Sequence, residues 1–325
     1  MLSIGNTIRF AAVSVGLLAG ATAYAAKPNW PTQAITLVVP FAPGGSTDMT
    51  ARIVAEGLRS QLGQPVIVEN KAGAGGNIGA GYVAQSKPDG YTYLFATNAH
   101  AAAITLFESL PYDFQKDLVP VGQIVSFPNV LVVRDDLAPR DLTEFIDYAK
   151  SAQLPLNYGS AGNGSSHHLA TALFEQRTGA EMQHIPFKGG APANMAILGG
   201  QIEFNIAPLM EVMPSIQAGR LRALGVTTPD RSALLPDVPA IGEVLDGYEV
   251  TLWSGIMAPA GTDQQIQEIM NEAIRATLKS PKVTSQLQEL GYAIYDEPLE
   301  NLEALYENEI KNWSEMVRVS GAKAN

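Results

Sequence analysis

The chain has 325 residues, of which 46 % are hydrophobic and 16 % are charged. That is enough apolar material for a substantial core and too little charge for a disordered chain. The absence of cysteine excludes disulfides, thiolate metal ligands, a cysteine nucleophile and a lipid-bearing cysteine. A formal net charge of −11 argues against nucleic-acid binding, because that function needs a basic surface.

The N-terminal segment 1–25 has the layout of a secretory signal peptide. Arg9 precedes an apolar run over 10–21, and Ala23-Tyr24-Ala25 matches a cleavage site for small residues. A membrane anchor is the alternative, but the run is short for a span. We therefore expect export to the periplasm without a lipid anchor, in a compartment where no pool of ATP or NAD is expected.

Short apolar runs alternate with helical periodicity along the rest of the chain. The first predicted strand, Ile35–Pro40, leads through a glycine-rich turn into a helix that extends to Leu62, with Gly63 as its stop signal. The further predicted strands are Pro65–Val68, Tyr91–Thr97, Val130–Val133, Leu156–Tyr158, Ile202–Ile206 and Leu221–Val226, and the further helices are Leu142–Ser151, Ser166–Arg177, Ala193–Leu198 and two that begin near Ile266 and Leu299. This alternation predicts an α/β fold with parallel sheets.

The number of strands predicts two domains rather than one compact sheet. Composition marks no boundary. We place two chain crossings near Gly122 and Trp253, which gives a first domain of 26–122 plus 253–325 and a second domain of 123–252.

Two glycine-rich turns carry the predicted chemistry. Pro40–Asp48 and Tyr158–His168 each follow a strand and open a helix. Glycine lets the backbone approach a ligand closely, and the N–H groups at a helix start bind anions without a lysine. Ser46, Thr47 or Asp48 could cap the first helix. If the turns face each other across a cleft, each could hold a carboxylate of a small organic acid, although ordinary capped connections remain the alternative.

Other patterns suggest other functions more weakly. Gly73–Gly79 is similar to a dinucleotide loop, but Ile78 stands where that motif needs glycine. Neighbouring histidines on a helix point about 100° apart, which favours structural or hydrogen-bonding roles over metal binding. The four histidines are His100, His167, His168 and His184.

Serines a few positions before a histidine suggest a secreted hydrolase as another function. Ser165 or Ser160 could pair with His168, but the chain contains no G-x-S-x-G motif. Lys188 could contribute a charge to the cleft or be a solvated lysine. Thr97-Asn98 ends a strand and could reach the cleft or cap a turn.

Eight motifs follow one another along the chain: Pro40–Asp48 with Ala51-Arg52, Leu62–Gly76, Pro88–Thr92, Gly164–Ala170, His184–Gly189, Gly219–Leu224, Leu235–Pro239 and Ala258–Thr262. Together they resemble the extracytoplasmic solute receptors of tripartite tricarboxylate transporters, the Bug or TctC family. The resemblance implies a periplasmic binding protein whose two α/β domains, with mixed, mostly parallel sheets, close on a hinge like a flytrap. It also implies a monomer without cofactor or catalysis that delivers a small carboxylate to membrane permease subunits.

The resemblance implies that turns Phe41–Asp48 and Ser160–His168 hold the ligand's carboxylate, partly through bridging waters. Some relatives that take amino acids have an acidic residue near the position of Asn205–Pro208, where this chain has none. We therefore expect a di- or tricarboxylate first and an aromatic acid second. A receptor that presents its ligand to a sensor kinase is the rival function. The expected ligand-binding residues are Phe41, Gly44, Gly45, Ser46, Thr47, Asp48, Thr97, Asn98, Ser160, Gly162, Gly164, Ser165, His168, Lys188 and Asn205.

Overall fold

The computed structural model describes residues 28–322, so the predicted signal peptide lies outside the described residues. Strands and helices alternate through most of this range. The strands are β1 (Ile35–Val39), β2 (Val66–Asn70), β3 (Thr92–Thr97), β4 (Leu118–Arg134), β5 (Leu156–Ser160), β6 (Met182–Pro186), β7 (Phe204–Pro208), β8 (Leu221–Val226), β9 (Thr251–Pro259) and β10 (Ala293–Ile294). The helices are α1 (Ser46–Leu62), α2 (Asn77–Ala84), α3 (Asn98–Leu106), α4 (Leu142–Ser151), α5 (Ser166–Thr178), α6 (Gly190–Leu198), α7 (Leu209–Gln217), α8 (Gln264–Lys279), α9 (Pro281–Glu289) and α10 (Leu299–Ser320).

The strands form a continuous mixed sheet that consists of two halves. Its order is β2-β1-β3-β9-β4-β7-β5-β6, and β8 and β10 also pair with β4. We call the part built on β1, β2, β3 and β9 the first half and the part built on β5, β6, β7 and β8 the second half. The long strand β4 belongs to both halves, since it pairs with β9 as far as Pro128 and with β7 from Asn129 onward.

The mixed α/β class is confirmed, but the sheets are not mostly parallel. Among the strands of the described residues, β1 pairs in parallel with β2 and β3, and β5 with β6 and β7. In the described residues, every pair that involves β4 or β9 is antiparallel. These two strands carry the chain between the halves, and each runs against its neighbours.

Polar and glycine positions explain why the sequence predicted only Val130–Val133 of β4. The first part of β4 contains Pro120, Gly122 and Gln123, and its register with β9 shifts at two places in this part. Proline and bulges interrupt the regular alternation by which a strand is identified from sequence. Residues that such a pattern assigns to turns are here paired and buried in the middle of the sheet.

Several predicted elements agree closely with the structure. Helix α4 and strand β8 have the predicted bounds, and α1 ends as expected at Gly63. Gly63 has a left-handed φ of 67°, and its N–H donates to the carbonyl oxygen of Arg59. Strands β6, β9 and β10 and helices α2, α3, α7 and α9 were not among the predicted elements.

The two sheet faces bury a large apolar core and a smaller one. The large core continues through both halves, whereas the smaller one lies under α6 and α7 around Val132, Ile197 and Leu209. Helix α8 packs against α1, and α10 packs against both α3 and α5. Within residues 28–322, no helix combines the length and the hydropathy needed to cross a bilayer.

Candidate ligand-binding site

The first turn leaves β1 and enters α1 without a side-chain cap. Gly44 has a left-handed φ of 85°, and Gly45 is the N-cap residue with no side-chain hydrogen bond. The expectation that Ser46, Thr47 or Asp48 caps α1 was therefore wrong, because all three already belong to the first helical turn. The consequence is that the first N–H groups of α1 are left for acceptors from elsewhere in the molecule.

Asp48 holds the first turn in place from inside the helix. Its carboxylate accepts hydrogen bonds from the Gly44 N–H at 3.0 Å, from the Asn70 amide at 2.9 Å and from two nitrogens of Arg52 at 3.0 and 2.9 Å. Burial raises the pKa of Asp48, but these donors outweigh it and hold the pKa below its ordinary value. Asp48 is thus ionised and fully engaged, and it supports the turn.

A carboxylate from the second half reaches the start of α1. Glu211, in the first turn of α7, accepts a hydrogen bond from the Ser46 hydroxyl at 2.9 Å and a longer one from the Ser46 N–H at 3.4 Å, both on Oε1. Ser46 is thereby the predicted site residue that the structure joins to the opposite half by a side-chain hydrogen bond. Sequence analysis missed Glu211, because an acidic residue in a first helical turn is typical of helices in general.

The second turn is capped by its own serine. Ser165 is the N-cap residue of α5, and its hydroxyl donates to the Gly162 carbonyl oxygen at 2.6 Å. Gly162 and Gly164 have left-handed φ values of 120° and 78°. A Cβ atom on Gly164 would lie 2.5 Å from Cδ2 of Leu106, so the turn is packed tightly against α3 of the first half.

Two stacked histidines support the second turn through contacts with Gly164 and Ser160. The rings of His168 and His184 lie 4.2 Å apart and almost parallel. Nδ1 of His168 accepts the Gly164 N–H at 3.1 Å, and Nε2 of His184 lies 2.6 Å from the hydroxyl oxygen of Ser160. Burial lowers the pKa of His168 to about 4, and burial together with the neighbouring His168 lowers that of His184 to about 4. Both imidazoles are therefore neutral at physiological pH.

Next to this pair, His167 points toward Glu211. Its Nε2 lies 3.5 Å from Oε2 of Glu211, and both His167 ring nitrogens and this oxygen lack a hydrogen-bond partner. The backbone of Gly190 also packs closely against Oε2, where a Cβ atom would overlap the carboxylate. Burial raises the pKa of Glu211, but His167 and Ser46 lower it below its ordinary value. The starts of α1, α5 and α6 thus converge on one ionised carboxylate.

Four further predicted residues, Thr97, Asn98, Lys188 and Asn205, make no hydrogen bond to the Glu211 carboxylate in the described structure. The Thr97 N–H donates to Nδ1 of His100 at 3.0 Å, which is a turn-capping contact. Asn98 is buried at the start of α3, and Lys188 is exposed. Asn205 is fully buried and donates to Oδ1 of Asn194, while its own Oδ1 has no partner.

Glycines outside the predicted site also form its walls. A Cβ atom on Gly76 would lie 3.3 Å from the ring of Phe41, and one on Gly75 would lie 3.2 Å from the carbonyl oxygen of Asn163 in the second turn. Gly73–Gly79 therefore brings the halves close together, and its glycines are required by packing. Among residues 28–322, no three histidine, aspartate or glutamate side chains are grouped as a metal site requires.

Solved structures with the same fold are similar over nearly the whole chain. Rpa4515 of R. palustris with adipate is 36 % identical with a TM-score of 0.86, over 91 % of this chain and 99 % of that one. The periplasmic binding protein BugD is 32 % identical with a TM-score of 0.85, over 90 % and 99 %. MatC of Rhodopseudomonas palustris with bound malate is 33 % identical with a TM-score of 0.83, over 89 % and 100 %.

These similarities and the converging helix starts define a solute-binding protein that acts outside the cytoplasm. The family model described as the tripartite tricarboxylate transporter family receptor, TctC, matches residues 50–321. The chain belongs to this receptor family, and the resemblance found in its sequence motifs is confirmed.

Proposed function

We propose that this receptor binds a small organic carboxylate between its two halves and delivers it to the membrane permease subunits of a tripartite transporter. The observation that carries the proposal is the start of α1, where the Ser46 N–H and hydroxyl already bind a carboxylate, that of Glu211. Neutral main-chain and hydroxyl donors at helix starts are suited to an anionic group. The same donors would serve a carboxylate that arrives from solution.

The relatives favour a dicarboxylate as the first candidate. Rpa4515 is described with adipate and MatC with malate, and both ligands carry two carboxylates. The donors of Ser46 in the first half and the unpartnered ring of His167 in the second half would suit such a ligand. An aromatic acid is the second candidate, because the pocket lining and not the fold determines which acid is bound.

We infer that the halves are two domains, 26–122 plus 253–325 and 123–252, with the hinge in β4 and β9. The change of partners along β4 supports a division within this strand, since β4 leaves β9 after Pro128 and joins β7 at Asn129, a few residues beyond the crossing predicted near Gly122. A ligand that contacts both halves in the closed form alone would shift the population toward closure.

We also infer that the receptor is exported by a signal peptide to the periplasm, acts as a monomer and has no catalytic activity. The Ser165 hydroxyl contacts a carbonyl oxygen and the His168 main chain, not an imidazole ring. Ser160 does face His184, but it is fully buried, and no third side chain orients that ring in the described residues. Ester turnover should stay at the buffer background in wild type and in Ser160→Ala.

A thermal-shift screen tests the ligand class. Malate, adipate, citrate, benzoate and aspartate are each added to the purified receptor, and a ligand at 100 times its Kd should stabilise the native state by about 2.7 kcal/mol. The control is Gly45→Val, because the nearest atom to its Cβ is 3.9 Å away, so the fold should tolerate valine while the side chain covers the N–H groups of α1. No shift with any carboxylate, or an unchanged shift in Gly45→Val, would contradict the proposal.

The permease partner needs a separate experiment. Vesicles that contain the two permease subunits should accumulate the bound acid only when the receptor is supplied. A receptor that binds its acid but supports no uptake, and instead stimulates a sensor kinase, would favour the signalling function.

A further inference from the structure

Glu211 occupies the donors that the proposed function assigns to the ligand. Its Oε1 accepts from both donor groups of Ser46, although the two residues come from opposite halves of the molecule. Among the described residues, no lysine or arginine lies within 4 Å of this carboxylate, and His167 is the basic side chain that does. The contact is therefore a carboxylate held mainly by uncharged donors at a helix start, as expected for a bound organic acid.

The second carboxylate oxygen shows that this arrangement is incomplete. Oε2 of Glu211 has no hydrogen-bond partner, and neither ring nitrogen of His167 has one, although that side chain is only 3 % exposed. Buried polar atoms without partners are costly, so a group of them around one carboxylate requires an explanation. Oε2 of Glu211 can thus accept one further hydrogen bond, and a ring N–H of His167 can donate one.

We propose that Glu211 is an internal competitor for the anion site at the start of α1, so that a ligand carboxylate reaches Ser46 only by displacing this side chain. The proposal rests on the proposed function and makes Glu211 a determinant of affinity and selectivity. A displaced carboxylate can turn toward Nε2 of His167, which lies 3.5 Å from Oε2 and has no hydrogen-bond partner. A ligand must therefore gain more free energy from its contacts in the site than Glu211 gains from its contact with Ser46.

This competition has a consequence for selectivity. The Glu211 carboxylate is attached to the chain, so it has a high effective concentration at Ser46. An acid with one carboxylate and no other contact, such as acetate, cannot displace it. A longer acid that also contacts the second half can displace it, because it gains hydrogen bonds that Glu211 does not make.

The most direct test is chemical rescue of Glu211→Ala by acetate. Removing the side chain frees the donors of Ser46 and leaves room for a small carboxylate, so acetate should raise the Tm of this variant and leave wild type nearly unchanged. The matched control is Glu203→Ala, which removes another carboxylate that accepts a main-chain N–H, that of Asn157 at 2.7 Å, outside the site. Equal responses of wild type and Glu211→Ala to acetate would overturn the proposal.

A second variant preserves the shape of the side chain. Glu211→Gln is neutral and of similar size, so malate or adipate should bind about tenfold more tightly than to wild type, by isothermal titration calorimetry. Weaker binding in Glu211→Gln would overturn the proposal and would mean that Glu211 contacts a donor group of the ligand.

The two experiments separate this inference from the proposed function. If neither wild type nor Glu211→Gln binds malate or adipate, the dicarboxylate ligand is wrong. The acetate response of Glu211→Ala then still decides whether the start of α1 is a carboxylate site for which Glu211 competes.

Discussion

The two glycine-rich turns have the same position in their halves but are held by different chemistry. The first turn depends on charge, because the ionised Asp48 joins Gly44, Arg52 and Asn70. The second turn depends on neutral rings, because His168 accepts a main-chain N–H while stacked on His184. Two turns that look alike in sequence are thus supported differently: the first by an ionised carboxylate, the second by neutral imidazole rings.

This difference bears on how each turn presents donors. In the first turn the Asp48 carboxylate pairs with Arg52, and the N-cap residue Gly45 has no side chain that could cap the first N–H groups of α1. In the second turn Ser165 caps α5 itself. The first turn is therefore built to receive an acceptor from outside, whereas the second depends more on its internal hydrogen bonds.

Acid should separate the two turns, and this is the largest expected effect. The folded-state pKa of His168 and His184 is about 4, below the ordinary value of 6.5, so the unfolded chain binds more protons between these pH values. Stability is therefore complete above pH 6.5 and falls as the pH drops toward 4, by about 2 kcal/mol for His168 alone at pH 4.5. Asp48, whose pKa its donors hold below the ordinary value, keeps its contribution through this window.

Hydrogen exchange read by mass spectrometry at pH 7 and 4.5, corrected for intrinsic rates, measures this separation. Peptides that cover Ser160–His168 should lose protection at pH 4.5, whereas those that cover Phe41–Asp48 should keep it. His184→Gln removes one titrating ring and should flatten the pH dependence. Equal loss of protection in both turns would show that the supports do not differ as described.

A methyl group should also distinguish the turns. Gly164→Ala places a Cβ atom 2.5 Å from Leu106 at a φ of 78°, so we expect a loss of about 2 kcal/mol in the free energy of unfolding from strain and overpacking. Gly45→Ala is the matched control, because its φ is −82° and its surroundings are open. Urea denaturation measures both, and similar losses at the two glycines would contradict the tight packing of the second turn.

Much of the fold could be predicted because a strong hydrophobic periodicity identifies a helix or strand from its local sequence alone. Helix α4 and strand β8 agree with the predicted bounds, and Gly63 ends α1 as expected. The antiparallel β4 and β9 could not be predicted, because their positions are fixed by long-range pairing such as Ser126 with Trp253. Local propensity carries no information about such partners.

The site was predictable only where local geometry determines it. Glycines between a strand and a helix indicated both turns, and left-handed φ values occur at Gly44, Gly162 and Gly164. Glu211 was missed because its contact with Ser46 spans 165 positions of the sequence. Sequence placed the donors, but packing between the halves decided which acceptor they meet.

The smallest expected effect tests the charge that supports the first turn. Asp48→Asn keeps the shape of the side chain and removes its charge, so the bonds from Arg52 and the Gly44 N–H weaken. We expect a loss of about 1 kcal/mol in the free energy of unfolding, since Arg52 is half exposed and solvent screens part of the attraction. Urea denaturation at pH 7 measures it.

The control for this prediction is an ion pair of similar spacing on the surface. Asp113 accepts from Lys116 at 2.7 Å, but Lys116 is 81 % exposed, so Asp113→Asn should cost less than Asp48→Asn. If the two substitutions cost the same, Asp48 acts as an ordinary surface carboxylate. The first turn would then be held by its backbone alone, and the proposed difference between the two turns would depend on the histidines of the second turn only.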